Sequence, residues 1–346
     1  MGGTKNTIKN NKCSGLGSGG KCAVDASAMD SHNIMLSVED LFFVQLLSSI
    51  LLFIIILITI IGNIFVITAV ITTPKLQIRS NYLILSLSIT DLLTGVLSMP
   101  VFAYHEVVHL SEWRMGYAMC HIYIFLTHVL TTVSFLHIFF IAIDRYLSVS
   151  RVEYSRHPSL RPARVMIAIS WTLPLAMGVG LTVNHIGADL LYVESIGAHI
   201  CLFVDDPDRL TLASLSIGLI LLVVIYSLYY GIYKKSCEFR HKTQTKGNKR
   251  SKASTQRQTS TNRALSCEFQ VAVRSIIITL AFTICMLPYI IMSFTININQ
   301  ELKYQMLAVM HLIIWFVYIN SMLNPIIYGS FNGDFRLAFK RLLEKT

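Results

Sequence analysis

Seven stretches of this chain stay apolar over a long distance: about residues 41–71, 81–103, 117–143, 165–183, 210–232, 271–296 and 305–328. A hydrocarbon core about 30 Å thick is crossed by roughly 20 helical residues. Each run reaches that length and predicts a membrane-spanning helix, because backbone polar groups in lipid must pair within their own segment. Strands of a barrel would appear instead as short alternating segments. A set of buried helices in a soluble protein is the other alternative. After the last run, "FNGDFRLAFKRLLEK" (331–345) sets Phe331, Phe335, Phe339 and Leu342 on one helical stripe, with Arg336, Lys340 and Arg341 pointing away. That pattern suits a helix lying on a membrane surface. The expected fold is all-α, a seven-transmembrane helix bundle at 41–330 followed by a short amphipathic surface helix and tail at 331–346.

Composition agrees with this picture. At 53% hydrophobic and 14% charged, with a mean hydropathy of +0.58, the chain lies outside the range of ordinary globular domains. The net charge is +10, and most of the 29 Lys and Arg fall on alternate connections and at the C-terminal end. Basic loops stay on the cytoplasmic side, which puts the N-terminus outside and the C-terminus inside. The positive charge is then an inner-surface feature suited to anionic lipid headgroups and to an acidic or phospholipid-bound cytosolic partner, not a nucleic-acid signal.

Residues 1–40 are rich in Gly, Ser and Lys without apolar periodicity, and an extracellular disordered tail is expected there. They are too polar for the core of a signal peptide, so the first span is expected to direct insertion. Residues 233–270 are basic and rich in Ser and Thr, which describes a mobile third cytoplasmic loop. Ser251, Ser254, Thr255, Thr259 and Ser260 in that segment follow basic residues and are candidate kinase sites. Of the seven cysteines, Cys13, Cys22, Cys120 and Cys201 fall on the outer side, Cys237 and Cys267 face the cytosol, and Cys285 lies in a span. An outer pair can form a disulfide.

Ionisable groups in lipid are costly enough to need a reason. Asp91 is the one carboxylate deep in any run, while Asp144 and Arg145 lie at the inner end of the third. Thr127, Thr131 and Ser134 share a face of the third run, and Asn320 and Asn324 share a face of the seventh. Single Ser and Thr residues serve as packing glue between membrane helices. Asp91 together with two Asn and Pro325 points further, since the proline frees a carbonyl and the amides can hold water or an ion.

At "IAIDRYLSV" (141–149) and "NSMLNPIIY" (320–328) the sequence resembles a rhodopsin-like, class A G-protein-coupled receptor. The resemblance covers about residues 41–343: Asn63 in run one, "LSITD" in run two, Cys120 and Asp144-Arg145-Tyr146 in run three, Trp171 and Pro174 in run four. It continues with Tyr226 in run five, "FTICMLPY" in run six, and Asn324-Pro325 with Tyr328 in run seven. The resemblance implies a plasma-membrane receptor for an extracellular small molecule, coupled to a heterotrimeric G protein, with membrane lipids, kinases and arrestin as further partners. It implies no enzyme activity. Asp91, Ser134, Asn320 and Asn324 match the family's sodium and water site. Arg145 is implied to be held by Asp144 and Glu268 and released on activation, with Tyr146, Tyr226, Met286, Pro288, Pro325 and Tyr328 as parts of the switch. Cys120 and Cys201 are implied to pair.

The implied pocket opens outward, lined by Thr127, Thr131, Phe203, Tyr289, Ser293, His311, Trp315 and Tyr318. Trp315 and Tyr318 resemble receptors for biogenic amines, which carry an Asp where this chain has Thr127; no other carboxylate is expected at pocket level. Residues 80–100 and "CLFVDD" (201–206) resemble adenosine receptors, where Phe203 would stack on a purine. The ligand is thus read as amine-like or purine, with a peptide or other ligand as the alternative. Tyr318 stands where retinal proteins need a lysine, which excludes an opsin. Met286 replaces the family's usual Trp and Gly218 its usual Pro, departures that lead us to expect more basal signalling. A transporter or channel would show inverted repeats, broken helix pairs or charged rings, and a membrane enzyme a nucleophile or metal-ligand cluster such as HExxH.

Overall fold

A computed structural model describes residues 38–108, 113–151, 154, 159–183, 187–193, 198–204, 210–247, 255–298 and 307–344. Two units result, residues 1–43 and 44–346, and the helix bundle is the second. The expected tail thus lies outside the described residues, apart from the start of the first helix.

The bundle is built from α1 (Val38–Thr72), α2 (Arg79–Leu93), α3 (Met99–Val108), α4 (Gly116–Ser150), α5 (Arg161–Val183), α6 (Leu210–Gly247), α7 (Thr255–Ile298) and α8 (Leu307–Phe331), followed by α9 (Gly333–Leu343). Among the described residues seven segments are long and apolar enough to cross a membrane, from Leu46–Thr72 to Leu312–Phe331. The second of them joins α2 and α3 through a π turn, Thr94–Ser98. Pro100 explains the widened turn: it has no N–H for the carbonyl four residues back, and its ring would clash there.

Helix α4 is the hub, packed against α2, α5, α6 and α7, while α8 packs on α7. The interior divides into three apolar layers. The middle one holds Leu87, Ile138, Ile225, Phe282 and Met286; the inner one Val66, Leu76, Ile278, Tyr328 and Phe335; the outer one Leu52, Met99, Phe102, Trp113, Tyr123 and Tyr318. Outward faces are equally apolar, as at Val223 and Tyr230 (68% and 69% exposed) on α6. Only lipid makes such a surface stable.

Three features depart from the sequence reading. Residues 187–204 contain an antiparallel hairpin, β1 (Gly187–Val193) and β2 (Ala198–Val204), with Leu190 opposite Cys201. A disulfide joins Cys201 to Cys120 near the outer end of α4. Second, helices α6 and α7 run through most of the expected third loop, leaving only 248–254 between them undescribed. No proline or glycine interrupts 233–246, and Lys, Glu, Arg and Gln there are good helix formers. Third, Phe331 belongs to the end of α8 and is 52% exposed. The chain breaks at Asn332, whose side chain accepts from the Asp334 N–H at 3.1 Å and caps α9. Phe335 and Ala338 then bury one face of α9.

At the outer end, Trp113 Nε1 donates to the Gly116 carbonyl at 2.9 Å, and Gly116 has a φ of 81° that favours glycine. This turn is what "WRMG" encodes.

Candidate functional site

Three polar groups run through the interior. The central one is built on Asp91, fully buried in α2. Asn324 Nδ2 donates to Asp91 Oδ2 at 2.8 Å, while Asp91 Oδ1 has no partner at hydrogen-bond geometry among the described residues, although the buried Ser321 side chain lies near enough to interact with the carboxylate. Asn63 Oδ1, Ser88 Oγ and Tyr328 Oη are also buried without such a partner, and Tyr328 lies within electrostatic reach of Asp91. Asn63 Nδ2 donates to the carbonyls of Thr59 (2.8 Å) and Ser321 (3.3 Å), stitching α1 to α8. Ser134 and Asn320 are buried but make no hydrogen bond to Asp91. Buried polar atoms normally find partners, so an unpaired carboxylate oxygen at this site suits a hard cation or ordered water.

The inner group surrounds Asp144. Its Oδ1 accepts from Arg79 Nε (2.8 Å) and Tyr154 Oη (2.9 Å), and its Oδ2 from Ser80 Oγ (2.9 Å) and from Arg145 Nη2. Burial first, then the Asp144 charge, pushes the Tyr154 phenol up to about 12. Glu268, the other expected partner of Arg145, has its side chain outside the described residues. Tyr226 Oη donates to Thr283 Oγ1 at 2.9 Å and Tyr229 pairs with Thr279 at 3.2 Å, both between α6 and α7. Gly231 faces the ring of Tyr146, which a Cβ there would approach to 2.8 Å. Met286 is buried beside Phe282, which stacks on Phe135 (5.4 Å, 14°). Pro288 and Pro325 lie inside α7 and α8, and Tyr328 stacks on Phe335.

The outer group is a knot of hydroxyls. Ser98 Oγ and Thr127 Oγ1 are 2.6 Å apart, and Tyr123 and Tyr318 meet through their hydroxyls at 3.1 Å. Tyr318 also packs edge-on against Phe102 and is 1% exposed, so it is part of the packed outer layer. Thr131, Ser293 and Trp315 are half-buried and Tyr289 is exposed. The side chains of Phe203 and His311 lie outside the described residues. Tyr123 escaped sequence reasoning although it stands one turn before Thr127 on the same face. So did Glu106: the second span extends to it, one of its carboxylate oxygens is buried, and its charge reaches Tyr123. A carboxylate therefore does stand at the outer level, because the helix outlasts the apolar run by five residues.

The described region also contains a polar clamp between α2, α4 and α5, of which only Trp171 stood in a family motif. His137 Nδ1 faces the Val133 carbonyl at 2.8 Å, and since a carbonyl only accepts, Nδ1 carries the proton. Nε2 then accepts from Ser86 Oγ at 2.8 Å, and Ser86 Oγ accepts from Trp171 Nε1 at 3.0 Å.

With this geometry in view, the comparison with known families is decisive: the description "7 transmembrane receptor (rhodopsin family)" matches residues 62–328. The chain belongs to the rhodopsin family of seven-transmembrane receptors. Among the relatives of this rhodopsin-family receptor, the human 5-hydroxytryptamine receptor 1F is 30% identical over 331 residues, covering 81% of this chain and 88% of that protein. The histamine H2 receptor of Canis lupus familiaris is 30% identical over 306 residues, covering 85% and 78%. The 5-hydroxytryptamine receptor 1B of Equus caballus is 28% identical over 378 residues, covering 94% of each. Such a receptor is a multi-pass protein of the plasma membrane with cell-surface receptor activity, and its family is not one of enzymes.

Proposed function

We propose that this receptor binds an extracellular small molecule and, through a conformational change of the bundle, activates a heterotrimeric G protein at its inner face. The N-terminus is outside the cell and the C-terminus inside, a reading supported by the distribution of Lys and Arg. The observation that carries the switch is the fully buried Asp91 beneath the hydroxyl knot, hydrogen-bonded to Asn324 with the Ser321 side chain beside it and facing no described cation. A sodium ion with water suits Asp91 Oδ1, with the buried Ser134 and Asn320 as the further ligands that the family resemblance implies. Such an ion would favour the resting arrangement, and its loss the active one.

The ligand class is an amine. Relatives of the chain are receptors for 5-hydroxytryptamine and histamine. Thr127 withholds the usual carboxylate, yet Glu106 supplies one whose charge reaches Tyr123, beside the packed aromatic layer of Trp113, Tyr123 and Tyr318. The purine alternative leans on the resemblance of residues 80–100 and 201–206 to adenosine receptors, with Phe203 as the stacking ring. In cells expressing the full chain, 5-hydroxytryptamine or histamine should drive a second messenger that nucleosides do not. Glu106→Gln should weaken potency roughly tenfold or more at equal surface expression, since a charge-assisted bond is worth above about 1.5 kcal/mol. Response to nucleosides or peptides alone would overturn the amine reading.

A further inference from the structure

Asp144 is buried at 0% exposure and touches two guanidinium groups, not one. Arg145 is its neighbour in sequence. Arg79 comes from the first turn of α2 and is held by more than the carboxylate. Its Nη1 donates to the Tyr154 carbonyl at 2.9 Å, its Nη2 donates to Ser148 Oγ at 3.2 Å, and its guanidinium lies 3.5 Å over the Tyr154 ring. The Tyr154 hydroxyl closes the circuit on Asp144. Every nitrogen of Arg79 is therefore engaged, and most of that engagement does not depend on Arg145.

This arrangement changes the energetics of letting Arg145 go. Removing one partner of a buried ion pair is costly because it strands the other charge. Here the carboxylate would retain Arg79 Nε, Ser80 Oγ and Tyr154 Oη after Arg145 leaves. We infer that Arg79 is a positioning residue of the receptor's switch: it is the counter-ion Asp144 keeps, so that Arg145 can be released without leaving a buried carboxylate alone. The inference rests on the proposed G-protein coupling for its functional half, and on geometry alone for its structural half.

Both halves are testable on the full chain in lipid nanodiscs. For the structural half, thermal stability is measured for Arg79→Gln, Arg145→Gln, the double variant, and the double variant with Asp144→Asn. Either single change should be tolerated, because one arginine still neutralises Asp144. The double change should cost more than the two singles added together, and Asp144→Asn should recover the excess. If the double variant does not fold, recovery of folded receptor by Asp144→Asn is the same supporting result. Simple additivity, or failure of Asp144→Asn to recover anything, would overturn the proposal. For the functional half, ligand-independent nucleotide exchange on purified heterotrimers should fall roughly fivefold in Arg79→Gln, the lower range of coupling between sites. Arg79→Lys should retain most of the activity. In an Asp144→Asn background Arg79→Gln should change nothing, a pattern that a merely structural arginine would not produce. Exchange at or above wild type in Arg79→Gln would overturn the inference. A wild-type chain that drives no exchange on any heterotrimer overturns the coupling reading instead, and the stability cycle then decides the role of Arg79 by itself.

Discussion

Gly62 on α1 lies directly against Pro325 on α8: a Cβ at position 62 would stand 2.7 Å from Pro325 Cγ and 3.0 Å from its Cβ. Neither the proline ring nor the helix carrying it can yield cheaply. Gly62→Ala is therefore expected to push α1 away from α8 and lower the melting temperature of the purified receptor, at a cost of about 1–3 kcal/mol. Gly218→Ala is the control, since a Cβ there meets no atom within 4 Å. It should be neutral or stabilise by up to about 1 kcal/mol through helix propensity.

Removal of sodium tests the central site. Replacing sodium by choline should lower the melting temperature of the wild-type protein, and Asp91→Asn should abolish the difference. Ser134→Ala and Asn320→Ala should weaken it. Ser150→Ala, at the inner end of α4 and remote in sequence from the site, should leave the sodium effect intact.

The Ser86 hydroxyl is shared by His137 and Trp171, so one substitution breaks two bonds between three helices. Ser86→Ala should destabilise by roughly 1–3 kcal/mol, the cost of leaving a buried polar group unsatisfied. Thr172→Ala removes only a bond to the Ala168 carbonyl on its own helix and should scarcely register in the same thermal assay.

Tyr154 predicts an alkaline effect. Its phenol titrates at about 12 in the fold, against about 10 in an unfolded chain. A raised value means that the fold favours the protonated form, so this contribution to stability is complete below about pH 10 and is lost as pH rises through about 12. Ultraviolet titration of wild type against Tyr154→Phe should isolate a late-titrating tyrosine. Asp144→Asn should move that tyrosine toward the ordinary range.

The seven spans were legible because lipid demands long unbroken apolar runs, a signal few other structures produce. Asp91 and Asn324 were legible for the converse reason: a charge or amide in such a run needs a partner. Arg79 was not, since a basic residue at the edge of a run reads as a topology signal, and only the fold shows it turning back to Asp144 across 65 positions. Glu106 was missed because helix and apolar run do not end together. Ser86 and His137 stand fifty-one positions apart, and no local period joins them. The hairpin at 187–204 is too short to resemble a bilayer-crossing run, and its register is set by pairing that no local period displays.

The π turn at Thr94–Ser98 has a consequence for the whole outer half of its span. One surplus residue rotates the downstream helix by about 100° relative to an uninterrupted one, so Phe102, His105 and Glu106 owe their azimuth to that surplus and not to the heading of Asp91. Excising a single residue there would swing the outer end of the rod away from its neighbours while the half that carries Asp91 stayed put. The second span thus behaves as two separately aimed pieces, so the packing around Phe102 can change its facing without turning Asp91.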